Sequence, residues 1–312
     1  MHVVITGAGG FVGAALARRI AAHGLPGRPD LTRLTLVDRQ FTAPPDDPRV
    51  RLLHGDFGVE QVLDAVFEQP VHVLFHLASV PGAEAERDSA LGYRVNLMAP
   101  LALFERAASQ ARAARIVYAS SIAVYGSALP EIVDDSTPPR PGISYGAHKL
   151  AGEIVLADLS RLGLVDGISL RLPGIVARPG FSAGHGSAFM SAIMRAAQAG
   201  EDYTCPVSPA ASCWWMSLQG CVGNLVHAAL LDTSSLPEGR AVTLPVLRLT
   251  VAEVVAALAR RFGEGAVAGI RWQPDANIER VFGCMPRLAP GIAERLGFVH
   301  DGDADGLIER AL

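Results

Sequence analysis

The segment TGAGGFVG, residues 6–13, constrains this chain more than any other. It follows the β-branched run HVVIT and opens the Ala/Leu-rich stretch GFVGAALARRIAAHG, which Gly24 closes. Gly7, Gly10 and Gly13 stand at a G-x-x-G-x-x-G spacing. Between a strand and a helix each glycine has its own task. Gly7 permits the tight turn, Gly10 lets backbone approach a pyrophosphate, and Gly13 lets the helix pack close to the strand. Phe11 and Val12 then begin a helix whose free N–H groups and positive dipole end suit phosphates. A strand from residue 2, a glycine turn and a helix together predict a dinucleotide site.

The rest of the chain keeps the same rhythm. RLTLVD, HVLFHLAS, RIVYASS and GISLRLPGIV read as strands. VEQVLDAVFEQ, a long helix at 92–111 and another at 145–162 alternate with them. This alternation predicts an α/β fold, a doubly wound parallel Rossmann sheet with helices on both faces. The rhythm fails after residue 177. The Gly-rich RPGFSAGHGSAF and the irregular CPVSPAASCWWMS follow, then a helix over 250–262 and a turn plus helix in the tail. The expected division is a nucleotide-binding domain over 1–176 and about 221–248, interleaved with a smaller substrate lobe over about 177–220 and 249–312.

Half of the 312 residues are hydrophobic and 19% are charged, enough for a sizeable core. Lys and Arg number 27 against 31 Asp and Glu, a net charge of −4, with no basic run. Nucleic acid and anionic membrane surfaces are therefore not expected as partners. No apolar stretch reaches the ~20 residues a bilayer requires. The N-terminus reads as a strand and not as a signal peptide. Cys205, Cys213, Cys221 and Cys284 show no metal-ligand spacing, so neither a metal nor a disulfide framework is expected. The expectation is a reduced, cytoplasmic enzyme.

Asp38 ends the second strand in TLVDR. A carboxylate there accepts both ribose hydroxyls of the adenosine and repels a 2′-phosphate, which favours NAD. Arg39 beside it is the competing signal, since a guanidinium pairs with a 2′-phosphate. Asp56 and Phe57, in HGDF, follow another short strand. Asp56 faces adenine there or caps its own loop, and the sequence leaves both open.

The stretch SYGAHK carries Tyr145 and Lys149 four residues apart, on one helix face. A free phenol, with a pKa of about 10, is a poor base at neutral pH. A neighbouring ammonium favours the phenolate. Tyr145 could then take a proton from an alcohol while hydride leaves the same carbon. YASSIAVYG brings Ser121 to the strand end at the same sheet edge, where it can hydrogen-bond the reacting oxygen.

Through TGAGGFVG, HLAS, RVN, SSIAVYG and YGAHK the chain resembles the extended short-chain dehydrogenases/reductases, the NAD-dependent epimerase/dehydratase family. The resemblance covers essentially the whole chain. It implies a Rossmann domain with a C-terminal substrate lobe, NAD as cofactor and a small hydroxy or keto substrate. It places the catalytic trio on Ser121, Tyr145 and Lys149 and the helix asparagine on Asn96. Leu77, Ala78 and Ser79, in HLAS, would line the cofactor site, with His76 a core residue. Many members dimerise through the two long helices, so a homodimer is implied.

Within the family, epimerases usually carry R-x-x-N after the sixth strand. Here Arg171 matches and Gly174 stands in place of the asparagine. Dehydratases carry an acid pair after the serine, where this chain has Ile122 and Ala123. RLPGIVARPG and GYRVNL instead resemble the D-erythronate dehydrogenase branch, in which Pro173 would pack on the nicotinamide carboxamide. That branch's R-x-W-x-x-S-P-R segment reads SCWWMSLQ, with Ser212, Leu218 and Gln219 at the two arginine positions and the proline between them. Two cations are thus missing where a small acid would want them. Arg178 either replaces them or is a surface arginine. Trp214 and Trp215 either wall the substrate pocket or fill the lobe core. Ser182, His185 and Ser187 are loop candidates for substrate contact. The reading is an NAD-dependent dehydrogenase acting on a polyhydroxy acid or related compound, with a nucleotide-sugar epimerase as the alternative.

Overall fold

The computed structural model describes residues 1–180 and 186–312. Its chain contacts divide into two compact units.

The first unit comprises Met1–Gly126, Pro139–Arg171 and Val222–Thr243. Its sheet contains β1 (His2–Thr6), β2 (Arg33–Asp38), β3 (Val50–His54), β4 (Val73–His76) and β5 (Arg115–Ser121). The strands Asp166–Leu172 and Ala241–Thr243 complete seven. The order across the sheet is Ala241–Thr243, Asp166–Leu172, β5, β4, β1, β2, β3. β1 pairs in parallel with both β2 and β4, so the chain reverses its winding there. Ligands of such sheets bind outside the carboxyl ends of the strands at that reversal. Every residue of β1 is buried, as expected of a central strand covered on both faces.

The helix expected over 92–111 is built differently. An α-helical turn, Ser89–Tyr93, passes into a π-helical turn, Arg94–Met98, and then into an α-helix, Ala99–Ala108. Pro100 supplies the cause: it has no N–H to donate to the Asn96 carbonyl, so the α-helical ladder cannot run through. The helix expected over 145–162 is Ser144–Arg161. GISLRLPGIV, expected as one strand, is two. Asp166–Leu172 belongs to the large sheet, and Gly174–Val176 to another, because Pro173 cannot donate to a ladder.

The second unit comprises Ser127–Pro138, Leu172–Cys221 and Leu244–Leu312. Its three-stranded sheet runs Leu247–Thr250, Ser212–Ser217, Gly174–Val176. Ser212–Ser217 is buried along its whole length. Its core gathers Phe189, Met190, Ile193, Trp215, Val254 and Leu258. The helix Val251–Phe262 starts on a complete capping box, in which Thr250 and Glu253 satisfy each other's backbone N–H.

Candidate active site

The glycine turn lies at the reversal point, after β1. Gly7 has φ +73°, a conformation that side chains resist, and a Cβ there would lie 2.6 Å from Ala78 N. A Cβ at Gly13 would lie 2.0 Å from Gly7 O, so only glycine lets the helix Phe11–His23 start this close to the turn. A Cβ at Gly10 would meet only Gly7 O, at 3.2 Å. That helix has no side-chain cap at Gly10, which suits an anion at its N-terminus. Phe11 and Val12 are half-buried in its first turn. Gly9, which the spacing argument passes over, is as demanding as the others: a Cβ would lie 1.9 Å from Gln40 O. Its N–H donates to Asp38 Oδ2 at 2.9 Å. Asp38 Oδ1 accepts from Arg39 N–H at 2.7 Å. The carboxylate expected at a ribose therefore also clamps the turn, and it remains half-exposed. The Arg39 residue is exposed. These residues fit a dinucleotide: a turn stripped of side chains, an uncapped helix start and a carboxylate at the end of β2.

Asp56 Oδ1 accepts from Gly58 N–H at 2.9 Å, so its carboxylate caps its own turn. Phe57 is buried in the core and meets His76 edge to face at 4.9 Å between ring centres. His76 Nδ1 and Thr6 Oγ1 are 2.6 Å apart. Its Nε2 is buried without a partner, and burial holds the ring well below its usual pKa, hence neutral. Beyond β4, Leu77 and Ala78 are half-buried under the glycine turn and Ser79 is exposed. Asn96 is 1% exposed, and both ends of its amide are used by Val80. Oδ1 accepts from Val80 N–H at 2.8 Å and Nδ2 donates to Val80 O at 2.9 Å. Asn96 thus fixes the loop that carries Ala78 and Ser79.

Ser121 ends β5 and Tyr145 begins the long helix Ser144–Arg161, both half-buried. Ser121 Oγ accepts from Ala123 N–H at 3.1 Å, which fixes its rotamer at the start of the next turn. That turn lies against the helix: a Cβ on Gly146 would be 2.3 Å from Ala123 O. Lys149 is 2% exposed. Its Nζ donates to Ala119 O at 2.8 Å and sits 5.6 Å from the centre of the Tyr145 ring. The Tyr118 ring lies on its other side, at 4.9 Å. Burial lowers the Lys149 pKa to about 7, and the Glu153 carboxylate opposes that shift. Burial also pushes the phenol of Tyr118 well above its usual range. An amine poised near neutrality beneath a tyrosine, one strand end from a fixed serine hydroxyl, can move a proton to or from an alcohol oxygen.

The remaining candidates lie in the second unit. Trp214 and Trp215 are 2% and 0% exposed. Their indole N–H groups donate to Pro286 O at 2.8 Å and Leu249 O at 3.0 Å. Both are occupied as lobe-core side chains, so the pocket-wall expectation gains nothing from their placement. Pro173 is buried. Gly174 faces Met190, whose Cε would lie 3.0 Å from a Cβ there, so the asparagine of epimerases would displace it. Arg178 is exposed, and its backbone N–H donates to Ser191 Oγ at 3.0 Å. Ser187 precedes the helix Ala188–Ala199, and Ile122 is half-buried beside Ser121 in the first unit. Ser182 and His185 lie outside the described residues. Among the described residues no cluster of His, Cys, Asp and Glu could hold a metal ion, and no helix is long and apolar enough to cross a membrane.

A Rossmann sheet with this turn and this serine, tyrosine and lysine defines an NAD-dependent oxidoreductase acting on CH–OH groups. Residues 3–212 match the model of the NAD dependent epimerase/dehydratase family, and the chain belongs to that family. It is 40% identical to a D-erythronate dehydrogenase from Cupriavidus necator, over 99% of this chain and 97% of that one. A D-erythronate dehydrogenase from Haemophilus influenzae is 34% identical, over 99% and 98%. Among solved structures, a nucleoside-diphosphate-sugar epimerase from Agrobacterium tumefaciens matches with a TM-score of 0.92 and 34% identity, covering 99% of this chain and 92% of that one.

Proposed function

We propose that the protein oxidises, reversibly, a secondary hydroxyl of a small polyhydroxy acid of the D-erythronate type. Tyr145 exchanges the proton of the reacting hydroxyl, Lys149 favours its phenolate, and Ser121 orients the reacting oxygen. Gly7, Gly9, Gly10 and Gly13 admit the pyrophosphate, and Asp38 holds the ribose. Bound NAD supplies the hydride acceptor. The observation that carries this reading is the burial of Lys149 beneath the Tyr145 ring. Two D-erythronate dehydrogenases aligned over nearly their full length support the substrate class. Ser79 and Ile122 are the proposed substrate contacts of the first unit. We also place the protein in the cytoplasm, as a homodimer.

The test is absorbance of the reduced nicotinamide when purified protein meets NAD and D-erythronate, other sugar acids or nucleotide sugars. Reduction with a sugar acid supports the reading. The likeness to the nucleoside-diphosphate-sugar epimerase structure from Agrobacterium tumefaciens supports a second reading, a nucleotide-sugar epimerase. Isomerisation of a nucleotide sugar with no net reduced cofactor would establish that reading instead. Gly174 packed on Met190, in place of the epimerase asparagine, argues against it.

A further inference from the structure

A helix covering a sheet normally turns an apolar stripe inward. The buried residues of the long helix are Gly146, Lys149, Gly152, Glu153 and Leu156, two glycines and two charges among five. The glycines explain how the charges reach the strand. A Cβ on Gly146 would lie 2.3 Å from Ala123 O, and one on Gly152 would lie 2.7 Å from the Tyr118 hydroxyl. With the helix seated against that turn and the Tyr118 side chain, Lys149 donates to Ala119 O and Ser120 Oγ donates to Glu153 Oε1. Two consecutive residues of β5 are therefore tied to the helix, and the next residue is Ser121. Glu153 is 3% exposed. It also accepts from Arg171 Nη2 at 2.7 Å and Nε at 3.0 Å. Arg171 Nη1 donates to the Tyr125 hydroxyl at 2.9 Å, which lies 2.6 Å from Thr243 Oγ1.

We propose that Glu153 is a positioning residue for the acid–base pair: its carboxylate pins the Ser121 end of β5 to the long helix and supplies the counter-charge for the Lys149 ammonium. The titratable groups facing Lys149 are Tyr145 and Glu153 on its own helix, Tyr118 on β5 and His76 on β4. Burial and the nearby Lys149 both keep the His76 ring from charging, so it supplies no counter-charge. Glu153 is the anion of the set, and it opposes the effect of burial on Lys149. Arg171 gives the carboxylate a bidentate partner, so that it is not a lone buried charge.

This inference rests on the assignment of Tyr145 and Lys149 as the acid–base pair, and its first test needs no substrate. Thermal unfolding of the ligand-free protein is followed from pH 6 to pH 9 for the native chain, Glu153→Gln and Glu153→Asp. Below about pH 7 the folded protein carries a charged Lys149 that needs Glu153, and above it the amine is neutral. The gap between native and Gln variant should therefore be widest at pH 6. It should narrow by about 2–3 °C by pH 9, the equivalent of roughly one pKa unit. The Asp variant keeps the charge, so its gap should stay constant. In turnover, the acid limb of the pH–rate profile should fall by about one unit in the Gln variant, because losing the anion favours deprotonation of the coupled pair, and stay in place in the Asp variant. A Gln gap equal at every pH, with an unmoved limb, means a purely structural brace and overturns the proposal. Should the Gln variant not fold, Glu153→Gln with Arg171→Met removes the pair without stranding a cation. It should show the same trend at smaller amplitude, and a flat gap overturns the proposal equally. Activity in Tyr145→Phe would defeat the underlying reading while leaving the thermal comparison intact. A flat gap alongside an inactive Tyr145→Phe would defeat only the role of Glu153.

Discussion

Tyr145 and Lys149, proposed to share one proton-transfer task, differ in their surroundings. Tyr145 is half-buried, whereas Lys149 is sealed in with its ammonium on Ala119 O. Tyr145→Phe should lower kcat by about 10²- to 10⁴-fold, the usual worth of a positioned acid–base group. NADH binding, followed by its fluorescence, should stay near native. Retention of most turnover would remove Tyr145 from the mechanism. A second titration sits far from the site. His2 is buried, with Nε2 2.9 Å from Thr35 Oγ1 and Nδ1 3.2 Å from Pro70 O, and burial lowers its pKa to about 4. The unfolded chain takes up this proton near pH 6.5 and the folded chain only near 4. Stability from His2 is thus whole above 6.5 and lost as pH falls between the two values. The native midpoint should drop several degrees more than that of His2→Gln between pH 7 and 4.5; equal slopes would clear His2. The pairing of Tyr145 with Lys149 was legible because an i,i+4 pair needs only a helix to make it a pair. Glu153, one turn further on, was not. Its meaning depends on Ser120, 33 residues away, and Arg171, 18 away, which only the sheet brings together.

At the scale of elements, two turns shape the proposed cofactor site, and one was misread. The glycine turn follows from sequence spacing, except that Gly9 is fixed by contact with Gln40, beyond the next strand. Gly9→Ala should part the turn from Asp38 and weaken NAD binding by at least about 10-fold, since one charge-assisted hydrogen bond is worth roughly 1.5–3 kcal/mol. Calorimetric titration with NAD reads this directly, and native affinity would show that the turn adapts. The π-helical turn was hidden because RVNLMAP keeps a helical hydrophobic period, and the period does not record the donor missing at Pro100. Its effect is to seat Asn96 on Val80. Asn96→Ala leaves a buried N–H and C=O unpartnered, so it should cost about 2 kcal/mol of stability. KM for NAD should rise with it, because the loop bearing Ala78 is released. Chemical denaturation and steady-state kinetics together check the two effects, and a stability loss with unchanged KM would make the clamp purely structural.

For the whole molecule, the parallel sheet was legible because its central strands β1, β4 and β5 are short buried runs between helices. The second unit was harder to read. Its strands are three to six residues long, and it takes in Ser127–Pro138, whose strand Ile132–Asp134 pairs with Arg287–Ala289 from the far end of the chain. No local period announces a pairing of that range. The two long helices pose the remaining question, because they leave large apolar side chains exposed. Tyr93 is 52% exposed, Met98 48%, Ile154 62% and Leu162 53%. The Tyr93 and His148 rings meet at 5.9 Å, which ties the two helices side by side. Stable interfaces bury roughly 800 Å² per partner, and we propose that a second copy covers this two-helix face. The native protein should then sediment at twice its 32.8 kDa. Met98→Lys with Ile154→Lys places charge on that face without touching the core, and should halve the mass while circular dichroism stays native. A native chain that sediments as a monomer would instead leave these four side chains to some other partner, and the homodimer reading would fall with them.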